Sequence, residues 1–229
     1  MQETDFTLAF TVAVQAGAIL AVVVLYYKKF LNITNWKFYL KLLAGMMPAV
    51  ILGLLFSKKI DALLESTTTV ALALLGGGIV LIFIDRFFNH PKLDTEKEVS
   101  FGKSFIIGIW QCLALIPGMS RSASSIIGGM QQKLTRSAAA EFSFFLGVPT
   151  LLGATVYKLY KYYKEAGGFT IHEINLLWVS NLVSFIVALF AVKFFIEHIK
   201  KHGFKIWGYY RVAVGIALLI MIFTGYIQG

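Results

Sequence analysis

The segment 116–130 reads IPGMSRSASSIIGGM and places one arginine among four serines, directly after a Pro-Gly pair. Serine hydroxyls cap the free N–H groups at the start of a helix, and such a start carries partial positive charge that attracts anions. Arg121 adds a planar cation whose geometry suits phosphate. Two interpretations remain open: Arg121 binds an anionic group, or it pairs with an acid such as Glu141 and locks the fold.

The rest of the chain is strongly apolar. Of its 229 residues 58% are hydrophobic and 14% are charged, with a mean hydropathy of +0.74, whereas soluble domains carry about 25% charged residues. Seven apolar stretches follow one another: 7–27, 39–56, 68–84, 104–116, 138–157, 176–196 and 207–227. All but 104–116 are long enough to cross a bilayer, which takes about 17–25 residues. The sequence predicts an all-α, polytopic membrane protein with six transmembrane helices.

The short stretch 104–116 leads into the arginine segment. As a helix it would be about 20 Å long, less than the hydrocarbon thickness of about 30 Å. Pro117 cannot extend it, and Gly118 permits a sharp turn. A second helical arm from about Ser122 would return the chain, so we predict a broken re-entrant hairpin over 104–130. Such a turn is tolerated at membrane depth where it is buried in protein or lines a wet cavity.

The spans form two sets of three. Because three is an odd number, the second set starts on the other side of the membrane and runs through it in the opposite direction. We therefore predict an inverted-topology repeat within one membrane domain, 1–229. The first repeat is the remnant 1–88, and the second is 104–229. The first repeat lacks a counterpart of the hairpin, which the repeat offset would place before Met1.

Positive charge is distributed unevenly over the loops between the spans. One set of alternate loops holds 14 Lys and Arg residues and the opposite set holds five, which predicts that the basic loops are cytoplasmic and that both termini lie outside. This topology bias accounts for the net charge of +9 better than nucleic-acid binding does. Cys112 is the single cysteine, so no intrachain disulfide can form. No metal-ligand spacing is present.

Few other polar side chains fall near the apolar stretches. Glu141 is an ion-pair partner, an acid or a residue at a helix entry, while Gln111 and Gln15 could bind a headgroup or a neighbouring helix. Asp85 is expected to be solvated at a membrane edge. The run LGGGIV at 75–80 is typical of close helix packing, with a cavity lining as the second interpretation.

Several motifs together resemble the undecaprenyl-diphosphatase family, also called bacitracin-resistance proteins. They read PGMSRSASS at 117–125, WQCLALI at 110–116, AAAEFSFFLGVPT at 138–150, VAVQAGAILAVVV at 12–24 and MMPAVILGLLF at 46–56. The resemblance implies an enzyme of the bacterial plasma membrane that removes the terminal phosphate of undecaprenyl diphosphate. This recycles the lipid carrier of cell-wall peptidoglycan synthesis and gives bacitracin resistance.

The resemblance also implies roles for individual residues. It places the substrate diphosphate on Arg121, with Ser120, Ser122 and Ser125 around it, and it makes Arg121 and Ser120 the candidate catalytic residues of this chain. The attacking group is water or a side chain, either Ser120 or a histidine that the family carries near its N-terminus. Ser125 matches a family threonine and keeps its hydroxyl. Further candidates for the substrate site are Gly118, Gln111 and Gln15.

This sequence departs from the family at its N-terminus. The motif EGxTEFLPxSSTxH, which supplies two glutamates and a histidine, is absent. The resemblance implies a divalent cation, Mg²⁺ or Ca²⁺, with ligands in that missing segment. We therefore expect either a reading frame that extends upstream or a truncated, inactive copy. The rival functions are a lipid-carrier flippase or transporter and a structural membrane subunit.

Overall fold

The computed structural model describes residues 5–31, 35–56, 59–60, 63, 66–88 and 90–227. Within these ranges the regular elements are helices, joined by two 3₁₀ turns at Glu96–Glu98 and Cys112–Leu115. The helices are α1 (Asp5–Ala13), α2 (Gln15–Leu25), α3 (Tyr27–Phe30), α4 (Trp36–Leu55), α5 (Thr67–Phe87), α6 (Phe101–Gln111), α7 (Arg121–Gln131), α8 (Arg136–Ala166), α9 (Ile171–His202) and α10 (Lys205–Phe223). The predicted all-α class is confirmed.

Five helices in the described part are long and apolar enough to cross a membrane: α4, α5, α8, α9 and α10. Large apolar side chains such as Leu54, Phe190 and Phe223 are exposed on them, as a lipid-facing surface requires. The chain is therefore a polytopic membrane protein. The first expected span, 7–27, consists of α1 and α2 with an interruption at Val14. Its apolar part is shorter than the five helices named above. The count of six spans stays a prediction.

The chain forms two compact units. The first comprises residues 1–36 and 144–195, and the second comprises 37–143 and 196–229. In the first unit, the backbone N–H of Gly17 donates to the Asn181 side-chain oxygen at 2.7 Å, which ties α2 to α9. The division into repeats 1–88 and 104–229 stays a prediction.

In the second unit, helices approach one another closely at glycines. A Cβ atom on Gly78 of α5 would lie 2.9 Å from the Gly208 carbonyl oxygen of α10. In α6, a side chain at Gly108 would overlap the backbone of Gly45 in α4. Close contact of this kind is how small residues join membrane helices. The packing interpretation of LGGGIV therefore holds for Gly78.

The sequence predicts a solvated Asp85, but the structure buries most of its side chain near the end of α5. Its Oδ1 accepts a 2.7 Å bond from Arg136 Nε, and its Oδ2 accepts a 2.9 Å bond from the backbone N–H of Phe204. The Asp85 side chain is 10% exposed. The expectation was wrong because Asp85 faces a cation and a helix start that are distant in sequence. Asp85 thus joins α5 to the starts of α8 and α10.

Replacing Asp85 with Asn is expected to lower the free energy of unfolding by about 1–3 kcal/mol, the usual range for a hydrogen bond to a charged group. The amide would still reach Phe204 but would lose the charge opposite Arg136. The measurement is the apparent melting temperature in detergent. Glu165→Gln is the matched control, because the Lys161–Glu165 pair is 53% exposed at both side chains and exposed pairs contribute little. Equal melting temperatures for both variants would contradict the expectation.

Candidate active site

The arginine segment forms the turn of a helical hairpin. Its first arm, α6, begins at Phe101, earlier than predicted, because the Ser100 hydroxyl caps it by accepting from the Lys103 N–H at 3.3 Å. After α6 the 3₁₀ turn Cys112–Leu115 tightens the chain, and α7 begins at Arg121. The break predicted at Pro117 and Gly118 is confirmed.

The two arms of the hairpin pack against each other. A Cβ atom on Gly128 of α7 would lie 2.8 Å from the Trp110 side chain of α6. The Trp110 indole N–H donates to Gln131 Oε1 at 2.7 Å. The chain therefore returns along its own first arm, as a hairpin must. The depth of the hairpin in a membrane stays a prediction.

Gly118 makes the turn possible. Its φ angle of +86° lies in the left-handed region, which residues with a side chain rarely adopt. A Cβ atom at this position would lie 2.5 Å from the Val70 carbonyl oxygen of α5. Gly118 is thus required both by backbone conformation and by its close approach to α5. A role for Gly118 in substrate binding stays a prediction.

The start of α7 carries the predicted serine cap. Ser120 is the N-cap residue, and its Oγ accepts from the Ala123 N–H at 3.2 Å. The Ser124 hydroxyl donates back to the Ser120 carbonyl oxygen at 2.9 Å. The N–H groups of Arg121 and Ser122, in the first turn, have no acceptor within the helix. Among the described residues no other acceptor takes these two N–H groups, so they are available to a ligand.

Arg121 is partly buried at the first position of α7. Its Nη1 donates to the Ser143 carbonyl oxygen of α8 at 3.1 Å. Among the described residues, the guanidinium makes this one hydrogen bond. It forms no ion pair with Glu141 there. Glu141 lies on α8, also partly buried. The fork of Arg121 is oriented by a neutral carbonyl and keeps its remaining donors.

A buried hydroxyl cluster lies beside Arg121. Ser125 Oγ lies 2.7 Å from Ser143 Oγ and 3.0 Å from the Arg121 carbonyl oxygen, and Ser122 Oγ lies 3.3 Å from Ser143 Oγ. Ser125 is 1% exposed. Sequence reasoning missed Ser143, although it stands in the EFSF motif. The structure brings Ser122 and Ser125 together with Arg121 and gives Ser125 internal partners.

The two glutamines predicted for the site have different surroundings. Gln111 ends α6 and is 2% exposed, and in the described part of the chain neither its Oε1 nor its Nε2 has a hydrogen-bond partner. Buried amides are normally satisfied, so Gln111 is suited to bind a polar group. Gln15 begins α2 in the first compact unit and is partly buried. Roles for both glutamines stay predictions.

A second arginine reaches the same turn and was not singled out from the sequence. Arg211 of α10 donates through Nη2 to the Gly118 carbonyl oxygen at 2.7 Å. Its position in the sequence could have identified it, because Arg211 is a charged residue inside the apolar stretch 207–227. Ionisable residues within membrane spans usually serve a function or pair with another buried group.

The described residues do not offer a site for the divalent cation that the resemblance implies. Among them, no group of three or more His, Cys, Asp and Glu side chains is close enough to hold a metal ion. Hard cations such as Mg²⁺ and Ca²⁺ need several oxygen ligands.

The fold defines a polytopic helical membrane protein whose broken hairpin places an arginine at a serine-capped helix start. Residues 1–217 match the family described as bacitracin resistance protein BacA, and the chain belongs to this family. It is 56% identical over 219 residues to an undecaprenyl-diphosphatase of Flavobacterium psychrophilum, covering 96% of this chain and 82% of that protein.

Two more distant relatives carry the same description. The undecaprenyl-diphosphatase of Porphyromonas gingivalis is 46% identical over 243 residues, with 98% of this chain and 86% of that protein covered. The undecaprenyl-diphosphatase of Aquifex aeolicus is 41% identical over 218 residues, with 94% and 83% covered.

Proposed function

We propose that this protein is a membrane phosphatase that hydrolyses undecaprenyl diphosphate to undecaprenyl phosphate and inorganic phosphate. Family membership supports the reaction. The structural observation that carries the proposal is Arg121, held at the capped start of α7 by the Ser143 carbonyl. The product is the lipid carrier of cell-wall synthesis, so this activity would also support bacitracin resistance.

The terminal phosphate would bind at the start of α7. The N–H groups of Arg121 and Ser122 and the partial charge of the helix N-terminus favour an anion there. The Arg121 guanidinium has five N–H donors, and one of them is engaged with Ser143. The remaining donors can hold two phosphate oxygens at once, which fixes the orientation of the phosphorus atom.

Hydrolysis breaks the bridging P–O bond, and negative charge grows on the leaving lipid phosphate and on the oxygens of the transferred group. Fixed donors stabilise such charge without having to reorganise, which lowers the barrier. In this proposal Arg121 and the α7 N–H groups do that work. The attacking group is either water, which gives inorganic phosphate directly, or the Ser120 hydroxyl, which gives a phosphoserine that water then hydrolyses to inorganic phosphate. The Ser120 oxygen accepts from the Ala123 N–H, and the proton lost by the attacking group passes to a phosphate oxygen or to solvent water.

The orientation in the membrane is also proposed. The excess of Lys and Arg in alternate loops supports cytoplasmic basic loops and external termini. Labelling of single cysteines introduced at Lys92 and Lys161, with Cys112 replaced by Ser, tests it. A membrane-impermeant thiol reagent added to intact cells should label position 161 and spare position 92.

The activity is tested by phosphate release from undecaprenyl diphosphate by the purified full chain in detergent. Undecaprenyl phosphate serves as the control lipid and should release none. A parallel arm adds a chelator and then Mg²⁺ or Ca²⁺, because the resemblance implies a divalent cation; lost and restored release would support that dependence. No release under any condition would overturn the proposal, and transfer of the intact lipid across vesicles without hydrolysis would favour a flippase.

A further inference from the structure

Arg211 lies in the first half of α10, a helix otherwise apolar enough to span a membrane. Its Nη2 donates to the Gly118 carbonyl oxygen at 2.7 Å and lies 3.5 Å from the Ala73 carbonyl oxygen of α5. Its Nε is buried and has no hydrogen-bond partner among the described residues. A charge in this environment is costly, so the presence of Arg211 in this helix calls for a role.

The Gly118 carbonyl explains what Arg211 does in the fold. Gly118 stands in the turn between two helical arms, so its carbonyl oxygen has no partner from helix geometry. An unpaired backbone carbonyl in apolar surroundings costs free energy. Arg211 supplies the missing donor and connects the turn to two transmembrane helices, α5 and α10.

The glycine run of α5 leaves room for this contact. A Cβ atom on Gly77 would lie 2.9 Å from Arg211 Nη2 and 3.3 Å from the Met119 sulfur. A Cβ atom on the neighbouring Gly76 would meet nothing within 4 Å. Gly77 therefore opens the space in which the Arg211 guanidinium and the turn meet.

We propose that Arg211 is a positioning residue: it anchors the Pro117–Met119 turn, and the anchored turn sets the place of Ser120 and Arg121 relative to the lipid phosphate. The proposal rests on the proposed function for its catalytic consequence. Arg211 acts through the backbone of the turn at Gly118, two residues before the N-cap of α7. Misplacement of catalytic groups by about 1 Å can cost roughly 100-fold in rate.

The first experiment perturbs the contact without touching Arg211. Gly77→Ala adds a methyl group against the flexible end of the Arg211 side chain, so the protein should fold while the guanidinium is displaced. Gly76→Ala is the matched control. Hydrogen–deuterium exchange of the full chain in detergent, followed in peptides covering 113–124, should be faster in Gly77→Ala and unchanged in Gly76→Ala.

The second experiment replaces the arginine itself. Arg211→Met removes the donor, Arg211→Lys keeps one that can reach Gly118, and Arg86→Met removes an exposed arginine of α5 that lies over the Phe83 ring. Arg211→Met should exchange faster at 113–124 and lose roughly tenfold or more in kcat for phosphate release. Arg211→Lys should recover most of both, and Arg86→Met should match the wild type.

The outcomes separate the two proposals. Wild-type exchange at 113–124 in folded Gly77→Ala protein, together with wild-type exchange in any Arg211→Met protein that folds, would overturn the anchoring role. Faster exchange with undiminished phosphate release would show that anchoring of the turn by Arg211 does not affect the reaction. Absence of release from the wild type would count against the proposed function alone, because the exchange comparison would still decide whether Arg211 holds the turn.

Discussion

Arg121→Lys is expected to lower kcat/KM for phosphate release by roughly 100-fold, the loss typical when one fixed donor to a developing oxyanion is removed. Lysine keeps the charge but replaces a planar fork by a single ammonium group. The ammonium cannot hold two phosphate oxygens and also donate to the Ser143 carbonyl in the way that Arg121 does. Phosphate release from undecaprenyl diphosphate, at several substrate concentrations, measures the effect.

Arg86→Lys is the control for this substitution. Arg86 is exposed near the end of α5, and its guanidinium lies 5.8 Å from the Phe83 ring centroid, so the same chemical change there should leave turnover unaltered. Both proteins should melt at temperatures close to the wild type. Turnover within a few-fold of the wild type in Arg121→Lys would remove the guanidinium from the proposed catalytic groups.

The features that depend on residues close together in the chain could be predicted from the sequence. Proline and glycine determine the break at 117 and 118, and a serine before the first helical residue caps α7 at Ser120. Long apolar runs predicted α4 and α5 to within a few residues of Trp36–Leu55 and Thr67–Phe87. These features depend on neighbours in the chain, so a pattern of residue types is enough to find them.

Helix ends outside the apolar runs were less predictable. The stretch 176–196 belongs to a helix that extends over Ile171–His202, and 138–157 belongs to Arg136–Ala166. Hydropathy marks the part of a helix that would lie in lipid, whereas the helix continues through polar residues with good helix propensity, such as Lys and Glu. The apolar window therefore underestimates helix length at both ends.

The partners of the site residues could not be predicted, because they come from distant parts of the chain. Ser143 faces Arg121 and Ser125 from α8, and Arg211 reaches Gly118 from α10. A single sequence shows that a buried polar group needs a partner but does not show which one it has. For Arg121 the sequence offered an anion or Glu141 as partner, and it did not point to the Ser143 carbonyl oxygen that orients the guanidinium in the structure.

The same contacts explain why the hairpin turn is held so closely. Its glycine lies against the α5 backbone at Val70, and its carbonyl accepts from Arg211. The serines of α7 turn their hydroxyls to carbonyls within the helix and to Ser143, which pairs polar atoms in apolar surroundings. A change at the turn should therefore affect both stability and the placement of Arg121.

Gly118→Ala is accordingly expected to lower both the melting temperature and the rate of phosphate release. An L-residue in the left-handed region costs about 1–2 kcal/mol, and the new methyl carbon would lie 2.5 Å from the Val70 carbonyl oxygen. The turn or α5 must move to relieve this overlap, and Arg121 moves with the turn. A loss of roughly 100-fold in kcat/KM corresponds to a displacement of about 1 Å.

Gly102→Ala is the matched control for this variant. Gly102 lies in α6, and a Cβ atom there would meet nothing within 4 Å. Alanine is the better helix former by about 1 kcal/mol, so the control should melt at or above the wild-type temperature with full activity. Wild-type melting and turnover in Gly118→Ala as well would mean that the turn accepts a side chain, and the glycine would then have no special part in placing Arg121.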